Sequence, residues 1–576
     1  MPLITDRVAA GLRPGARRPV QAAEPGVPRP RGGRPGDPPA EAPPDGGHHR
    51  RGLRAVGWAL GLLTLAALLV RVSLTVGMDA DAANKALQGW DLLHGHLLLH
   101  GWITGDATFY ALESPLYALV EAFTGLTPMV THVEPALLYV LVLVLVLPLC
   151  RGEAAGWAAA LRGLTAAAIL LIPLASTYGV SLLMEQPDHV GTSVFLLAAF
   201  LLADAAGRRR GWRDGRFVRL APFAVFAVCT AGILSDDTVT YVAVPAVALV
   251  CGLRGLQARR PLGPDAGVGF AALLAIPAEH VLRAVMHRFG SYWMTRPRTV
   301  IAGPAAWPSH AHRTLRAVAA LYGLSYNGSL VFAVLGGCSL GAAAAGFVRV
   351  LWRWRTASRA ELLCVTAILL NLAVYSLSTG HTPIPAHEIA AVLPLGAVLA
   401  ARCISPAWTW WRSAARKACV LLAVAALAPV IVSAARPAQG PIPTAPAPNL
   451  AGWLAAHGLR YGIAGYWDAS TITVDSGGAV AVRAVVQAKH GFAMYAWETR
   501  RDWYQGRLHD ATFAVAYDGP SEFGLINADK LGTANFEAFL GKPAEVYRVD
   551  GRSVLVYPAN LLDHVAAWLP ARAKRQ

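Results

Sequence analysis

The sequence has little charge for its size. Only 15% of its 576 residues are Asp, Glu, Lys or Arg, whereas 55% are hydrophobic. Soluble proteins normally have about a quarter charged residues, so an ordinary soluble fold is excluded for most of the chain. Apolar runs explain the deficit. They recur from residue 55 to about residue 435, and about 20 such residues suffice to cross a bilayer.

Acidic residues are scarcer than basic ones, 35 against 51, which leaves a net charge of +16. In a soluble protein this excess would suggest nucleic-acid binding. Here the basic residues flank the apolar runs, as the cytoplasmic anchors of membrane helices do. We therefore expect membrane lipids as partners, and no nucleic acid.

Two further motifs are missing. The 7 cysteines lie in or beside apolar segments and form no CxxC pair, so we expect neither a disulfide framework nor a cysteine zinc site. No GxxxxGK[ST] segment is present, which argues against ATP-driven transport by this chain alone.

Composition divides the chain into four parts. Residues 1–50 are rich in Pro, Gly, Arg and Ala, which predicts a disordered cytoplasmic tail. Residues 51–435 carry the apolar runs and a long first outer loop at 77–133. A Pro-rich linker at 436–448 should mark a boundary that few contacts cross. Residues 449–576 alternate helix-like and strand-like segments, as a small α/β domain does.

The apolar runs predict about eleven transmembrane helices. They fall at about 55–76, 134–149, 156–175, 190–205, 219–234, 238–253, 267–285, 329–348, 361–378, 388–402 and 417–434. Arg50, Arg51 and Arg54 precede the first run and place the N-terminus in the cytoplasm. Eleven crossings then put the C-terminal domain outside, and every connection predicted to lie inside is basic. We therefore expect a multi-pass plasma-membrane protein of mainly α class.

The two outer regions have different patterns. In the first outer loop, Leu, Trp, Phe and Tyr recur at roughly helical spacing, which predicts amphipathic helices in the membrane interface. In the C-terminal domain, helices are predicted at Asn449–His457, Asn535–Leu540 and Leu561–Leu569, and strands at Ala479–Val486, Thr512–Tyr517, Glu545–Val549 and Ser553–Tyr557.

The candidate catalytic pair is Asp79-Ala-Asp81, just after the first span. Two carboxylates at this spacing can share a divalent cation such as Mg or Mn, or one of them can act as a general base. The alternative is a solvated loop, since this short pattern is common. Asp236-Asp237 forms a second candidate acidic site at the predicted outer end of the fifth span, where charges are costly and often functional. A short hairpin turn in headgroup water is the alternative there.

The connection at about 286–316 is predicted to lie outside, yet it is basic. Elsewhere, basic residues mark the connections predicted to lie inside. The 286–316 loop includes Arg288, Arg296 and Arg298. Arginine recognises phosphate with two parallel hydrogen bonds, so the loop is a candidate phosphate site. Contact with anionic lipid headgroups explains it as well.

These features together resemble the GT-C superfamily of integral-membrane glycosyltransferases, which includes protein O-mannosyltransferases and lipid A aminoarabinose transferases. The resemblance covers residues 54–435 in architecture. At the level of motifs it rests on Gly77–Lys85, Ser114-Pro115-Leu116-Tyr117 and the segment His387–Pro394. The chain is also similar to actinobacterial membrane proteins through GLRYGIAGYWDASTITVDSGG at Gly458–Gly478.

The resemblance implies transfer of a sugar from a polyprenyl-phosphate donor to a glycan, lipid or protein acceptor at the outer face. In that superfamily an acidic residue of the first outer loop deprotonates the acceptor hydroxyl. Asp79 is the matching position and Asp81 is the alternative. His387 stands where many relatives have Arg or Lys, and it joins the arginines of the 286–316 loop as a candidate for the donor phosphate. Many relatives also have Asp-Glu in place of Asp-Ala-Asp.

Two other classes of function stay open. A transporter of lipid-linked glycans would need ionisable residues within the membrane, for which Arg71 and Arg162 are the candidates. A non-catalytic scaffold with a glycan-binding outer domain would not need the acidic pairs.

Overall fold

The computed structural model describes residues 46–185, 189–207, 215–260, 263–295, 301–324, 329–378, 386–404, 412–436, 447–519 and 531–566. The chain divides into two compact units, Met1–Ala59 and Leu60–Gln576. The folded core and both candidate sites lie within the second unit.

Helices dominate the described residues. In chain order they are α1 Gly46–Ser73, α2 Ala80–Leu93, α3 Glu113–Thr124, α4 Val130–Arg151, α5 Gly156–Leu171, α6 Thr177–Val180, α7 Val190–Gly207, α8 Gly215–Ser235, α9 Thr238–Tyr241, α10 Ala243–Gln257, α11 Pro264–Arg288, α12 Trp307–Leu321, α13 Leu330–Trp352, α14 Arg359–Leu377, α15 Val392–Arg402, α16 Arg412–Ala434, α17 Leu450–Ala456, α18 Tyr466–Asp475 and α19 Thr533–Leu540.

A bundle of apolar helices is confirmed. In the part of the chain that the structure describes, 9 helical segments are long and apolar enough to cross a membrane. Two of the eleven predicted spans fall short of that length: the apolar part of α8, Leu220–Ser235, and α15, which has 11 residues. The number of crossings therefore stays a prediction.

Small residues let the helices of the bundle approach closely. At Gly346 of α13, an added Cβ would lie 2.6 Å from the backbone of Leu399 in α15, closer than real carbon contacts allow. Lipid tails are as apolar as the helices, so close backbone packing holds such helices together. A side chain at Gly346 would push α13 and α15 apart.

The helices predicted in the first outer loop are α2 and α3. Most of α2 is buried, because it packs between α3 and α18. Protein rather than lipid therefore covers much of the α2 surface, which the amphipathic pattern alone did not predict. On α3, Leu119 and Phe123 are exposed, as expected for a helix that meets the membrane interface.

The described residues also include ten short strands. They are β1 Trp102–Thr104, β2 Trp293–Met294, β3 Tyr461–Ala464, β4 Ala481–Ala488, β5 Gly491–Met494, β6 Thr499–Arg500, β7 Phe513–Ala516, β8 Glu545–Val549, β9 Arg552–Val556 and β10 Val565–Ala566. Seven of them form one mixed sheet in the order β10-β5-β4-β3-β7-β9-β8. The central strand β3 is parallel to β4 and β7, and α18 connects β3 to β4. The C-terminal region is thus an α/β structure.

The four strands predicted in this region are present within about two residues, as β4, β7, β8 and β9. The helix predicted at Leu561–Leu569 is wrong in its described part. A 3-10 turn at Leu561–His564 leads there into β10, because Val565 pairs in parallel with Phe492 of β5. The sequence pattern predicted no helix or strand within Gly458–Gly478, but this stretch contains β3 and α18.

A second, smaller sheet joins three distant parts of the chain. Its order is β2-β1-β6, with Ile103 opposite both Trp293 and Thr499. It links the first outer loop, the segment after α11 and the C-terminal region. The expectation that few contacts cross the linker is therefore wrong, because backbone hydrogen bonds and the packing of α18 on α2 hold the two regions together.

Candidate functional site

Asp79 caps the first helix of the outer loop. It is the N-cap residue of α2, and its Oδ1 accepts a 2.7 Å hydrogen bond from the Ala82 N–H. Aspartate is preferred at this position because it satisfies an otherwise unpaired helical N–H group and carries a charge that the helix N-terminus stabilises. Asp79 is 1% exposed, so its carboxylate is held in a fixed orientation.

Asp81 contacts the C-terminal region directly. The Tyr466 hydroxyl of α18 donates a hydrogen bond to Asp81 Oδ1, and it also lies 3.3 Å from Asn84 Nδ2 and 3.5 Å from Glu498 Oε2. The pKa of Tyr466 is raised well above its ordinary value by burial and then by the charge of Asp81, so the phenol keeps its proton. Asp81 therefore stands at the contact between α2 and the outer α/β structure.

Asp236 is the centre of a second polar cluster. It lies in the turn between α8 and α9 and is buried. His189 Nδ1 donates a 2.6 Å hydrogen bond to its Oδ2, which also accepts from the Thr192 hydroxyl, and the Thr238 N–H donates to Oδ1 at 2.7 Å. Burial alone would raise the pKa of Asp236, but the charge and hydrogen bond of His189 outweigh it and hold the pKa at about 2. Asp236 is thus a buried, ionised carboxylate.

His387 and Glu388 join this cluster through His189. Both lie in a 3-10 turn, Ala386–Ile389, just before α15. His189 Nε2 is 3.4 Å from Glu388 Oε2, and the His189 and His387 rings stack with centroids 5.9 Å apart. The motif around His387 and the acidic residue Asp236 therefore meet in space, although about 150 residues separate them in the sequence.

Two carboxyls of the first outer loop belong to the same region. Burial, followed by repulsion from Glu388, raises the pKa of Asp106 to about 6. Burial raises the pKa of Glu113 to about 8, and Lys85, Asp236 and His189 are close enough to affect it. At neutral pH the cluster thus combines an ionised Asp236, a protonated Glu113 and an Asp106 that titrates near 6. Such separated protonation states are typical of acid–base sites.

Lys85 also faces this region from α2. It is buried, and its Nζ lies 4.2 Å from the centre of the Phe109 ring. Phe109 in turn makes an edge contact with His189, with ring centroids 6.3 Å apart. A buried cation is thus held close to the cluster of acids by an aromatic ring.

Asp237 has a different partner from Asp236. Its Oδ1 lies 3.8 Å from Arg283 Nη2, and Arg283 also pairs with Glu279 one helical turn earlier in α11. The arginine near the second acidic pair is therefore Arg283, which sequence reasoning missed. Arg288 lies exposed at the end of the same helix.

The remaining predicted site features have mixed outcomes. Arg296 and Arg298 lie outside the described residues. Among the residues that are described, no group of three or more His, Cys, Asp or Glu side chains is arranged to hold a metal ion. Asp79 and Asp81 each accept a hydrogen bond from the protein through Oδ1. The Mg or Mn site stays a prediction, and no step below depends on it.

Local sequence signals existed for some of the residues that were missed. Glu113 directly precedes the Ser114-Pro115 motif, and Glu388 follows His387 within its motif. His189 and Asp106 have no such signal. They join the site only because the start of α7 and the loop before α3 are packed against the turn after α8, where the Thr108 and Phe109 N–H groups both donate to the Ser235 carbonyl.

No protein-family model matches the sequence, and no curated protein matches it significantly. Among solved structures, ArnT from Cupriavidus metallidurans bound to undecaprenyl phosphate is 14% identical, with a TM-score of 0.53 over 88% of this chain and 99% of ArnT. The apo form of ArnT matches with a TM-score of 0.55 over 89% of this chain and all of its own. An Archaeoglobus fulgidus oligosaccharyltransferase matches with a TM-score of only 0.42, which adds nothing to the assignment.

ArnT is a GT-C glycosyltransferase, and the match spans nearly the full length of both chains. The protein therefore has the GT-C fold that its architecture resembles, and it is a multi-pass membrane protein. Neither finding tests the similarity to actinobacterial proteins, the direction in which the chain enters the membrane, or the roles of the site residues, so these stay predictions.

Proposed function

We propose that the protein is a membrane glycosyltransferase that transfers a sugar from a polyprenyl-phosphate donor to an acceptor at the extracytoplasmic face. The observation that carries the proposal is the fold match to ArnT, a protein whose structure has been determined with undecaprenyl phosphate. The buried cluster of ionisable groups around Asp236 supports it, because pKa values shifted by burial and charge are typical of catalytic sites.

The reaction needs a base for the acceptor and a path for the leaving phosphate. A carboxylate of the first outer loop takes the proton of the acceptor hydroxyl while that oxygen forms a bond to the anomeric carbon. The bond between the anomeric carbon and the phosphate oxygen breaks at the same time, and the polyprenyl phosphate leaves with the electron pair. A single in-line attack inverts the sugar.

Asp79 is the proposed base and Asp81 its alternative. The helix cap holds the Asp79 carboxylate in one orientation, which favours base catalysis because a positioned base is more effective than a mobile one. Asp81 is only half-buried and is thus easier for an acceptor to reach, but it receives the Tyr466 hydroxyl. An acceptor hydroxyl bound at Asp81 would compete with the Tyr466 hydroxyl for the Asp81 carboxylate.

The donor phosphate is assigned to the cationic residues. His387 lies beside His189 within the buried cluster, and Arg288 is exposed at the end of α11, where it is free to meet a headgroup. We propose that these residues, together with Arg296 and Arg298, bind the phosphate of the donor. Since that phosphate is already present in the ground state, Arg288→Ala should raise KM more than it lowers kcat.

The test replaces Asp79 with asparagine. Asparagine caps a helix as well as aspartate does, so Asp79→Asn should keep α2 in place and remove only the base. Transfer of sugar from a radiolabelled polyprenyl phosphate should fall by about 10²–10⁴-fold, with normal amounts of protein in the membrane. Asp510→Asn, at an exposed position of the outer region, is the matched control and should leave transfer unchanged.

Asp81→Asn distinguishes the two carboxylates. A severe loss in Asp79→Asn with a mild loss in Asp81→Asn assigns the base to Asp79, and the reverse assigns it to Asp81. Near-normal transfer in both variants would make the site assignment wrong. If the wild-type protein transferred nothing from any polyprenyl donor, a scaffold with a glycan-binding outer region would replace the enzyme as the proposed function.

A further inference from the structure

A polar cavity of about 710 Å³ lies at the other end of the helical bundle. The helix α7 starts beside His189 in the outer cluster, and its last residue, Gly207, lines this cavity. The helix α7 has 18 residues. At a rise of about 1.5 Å per residue, it separates the two sites by ~27 Å. The cavity is therefore distinct from the proposed catalytic site and, in the predicted orientation, faces the cytoplasm.

Arginines from five different helices line this cavity. They are Arg162 of α5, Arg254 of α10, Arg349 of α13, Arg359 of α14 and Arg402 of α15. Three acids line it as well, Glu153, Asp204 and Glu361, and Asp265 pairs with Arg359 beside it, so five positive charges against four negative ones leave an excess of one. Charges of one sign that converge between helices repel each other strongly where water is scarce.

Two of the arginines are neutralised by carboxylates within the protein. Arg349 pairs with Glu361, and Arg359 Nη2 lies 2.6 Å from Asp265 Oδ1. The other three arginines then face Glu153 and Asp204, which leaves one positive charge in excess.

The hydrogen-bond partners of Arg162, Arg254 and Arg402 in the described part of the chain are neutral, although Glu361 is close enough to interact with all three by charge. Arg162 donates to the Ile404 carbonyl through Nε at 3.1 Å and Nη2 at 2.9 Å. Arg402, which is 9% exposed, donates to the Leu149 carbonyl at 2.7 Å and to the Ser358 hydroxyl at 2.6 Å. These bonds orient the guanidinium groups but do not neutralise their charge.

Two buried N–H donors still lack a partner. Arg254 donates to the Ala357 carbonyl and to Gln257, and Arg349 to Glu361, but the Nε atom of each arginine is buried and has no hydrogen-bond partner among the described residues. A buried donor without an acceptor costs about 1–3 kcal/mol. An anion with several acceptor oxygens would satisfy both donors and the excess charge.

We propose that this cavity binds the phosphate group of an anionic ligand, either the headgroup of an anionic phospholipid or a soluble phosphate. Phosphate oxygens match the forked donors of arginine, and basic pockets between transmembrane helices on the cytoplasmic side are known to take anionic headgroups. The bound phosphate would tie together α5, α10, α13, α14 and α15, which supply the arginines. The inference does not depend on the proposed glycosyltransferase activity.

The test measures binding to the purified full-length protein in a neutral detergent. The probes are dilauroyl phosphatidylglycerol, dilauroyl phosphatidylcholine and inorganic phosphate, and the readouts are bound ligand by native mass spectrometry and the shift in thermal midpoint. Arg254→Gln and Arg349→Gln each remove a charge and an unpaired Nε donor, so each should weaken binding by about tenfold or more. Arg353→Gln removes the same charge from the exposed turn after α13, outside the cavity, and should change binding by less than about twofold.

The probes identify the source of the phosphate. Binding of phosphatidylglycerol over phosphatidylcholine, weakened in the two cavity variants, supports a lipid headgroup. Binding of inorganic phosphate alone, weakened in the same variants, supports a soluble ligand. The proposal is overturned if the wild type binds neither anionic probe, or if Arg353→Gln weakens binding as much as the cavity variants do.

A second measurement needs no variant and covers the case in which the substitutions disturb folding. A phosphatidylglycerol with a diazirine in its headgroup is photolysed with the wild-type protein, and an excess of unlabelled phosphatidylglycerol or of inorganic phosphate serves as competitor. Crosslinks that either competitor suppresses should fall on peptides around Gly152–Arg162 and Arg349–Glu361. Suppressible crosslinks confined to other parts of the chain, or none at all, would refute the cavity as the site.

Discussion

The substitution Tyr466→Phe tests whether the Tyr466 hydroxyl holds the C-terminal region onto α2. This buried hydroxyl donates to Asp81 and lies within 3.5 Å of Asn84 and Glu498. Tyr466→Phe removes that oxygen and keeps the ring, which also packs against Trp467 with centroids 5.2 Å apart. Any loss of stability therefore reports on the hydrogen bonds and not on the aromatic packing.

The size of the effect follows from the partner. A hydrogen bond to a charged group contributes about 1.5–3 kcal/mol, and every ~1.4 kcal/mol changes an equilibrium constant tenfold. The opening equilibrium of α18 should therefore shift by about 10- to 150-fold when the bond to Asp81 is lost.

Hydrogen–deuterium exchange with mass spectrometry measures this opening. Amides in the peptide covering α18, Tyr466–Asp475, should exchange about 10- to 150-fold faster in Tyr466→Phe than in the wild type. Tyr547→Phe is the matched control. It also removes a hydroxyl bonded to a carboxylate, that of Glu545 at 2.6 Å, but on the exposed strand β8. An exposed pair contributes at most about 1 kcal/mol, so this control should accelerate exchange at most about fivefold.

A double variant assigns the effect to its partner. If the bond to Asp81 is responsible, Tyr466→Phe should have much less effect in an Asp81→Asn background than alone, since contacting residues are not additive. Unchanged exchange in Tyr466→Phe, or an equal acceleration in Tyr547→Phe, would refute the idea that this hydroxyl holds the outer region in place.

Three further predictions concern orientation, pH and packing. With the native cysteines removed, Ser521→Cys should label from outside intact cells and Gly33→Cys should not, and labelling of the latter would invert the predicted topology. Burial raises the pKa of Asp106 to about 6, so the folded state holds this proton more tightly than the unfolded chain does. The thermal midpoint should therefore fall as pH rises from about 4 to about 6, and Asp106→Asn should remove that part of the slope. A Cβ at Gly191 would overlap the Glu113 carboxylate, so Gly191→Ala should lower stability by about 1–3 kcal/mol in thermal unfolding.

Two of these predictions have controls within the chain. Gly341→Ala, in α13 where a Cβ meets nothing within 4 Å, should not lower the thermal midpoint, because alanine favours helix over glycine. Asp510→Asn, which changes an exposed carboxyl outside the cluster, is the control for Asp106→Asn. A fall in stability in Gly341→Ala equal to that in Gly191→Ala would show that the Glu113 contact is not the cause.

Apolar runs depend only on local sequence, and so do hydrogen bonds between residues a few positions apart. Both can therefore be predicted without the tertiary structure. A span is recognisable because its own side chains determine whether it partitions into hydrocarbon, so the helix bundle followed from the pattern. Asp79 begins α2 because its side chain caps the helix that follows it. The strands Glu545–Val549 and Arg552–Val556 are recognisable from their own composition.

The arrangement of the site was decided by tertiary structure alone. His189 meets Asp236 across 47 positions of sequence and also meets Glu388 in the turn before α15, because the start of α7, the end of α8 and that turn are packed together. Likewise, Asp81 finds Tyr466 across 385 positions, and five arginines on five helices enclose one cavity. No periodicity or local composition encodes such contacts, since each depends on which faces of distant helices pack against each other. The sequence thus determines which residues stand at helix ends, and helix packing determines which of those ends meet.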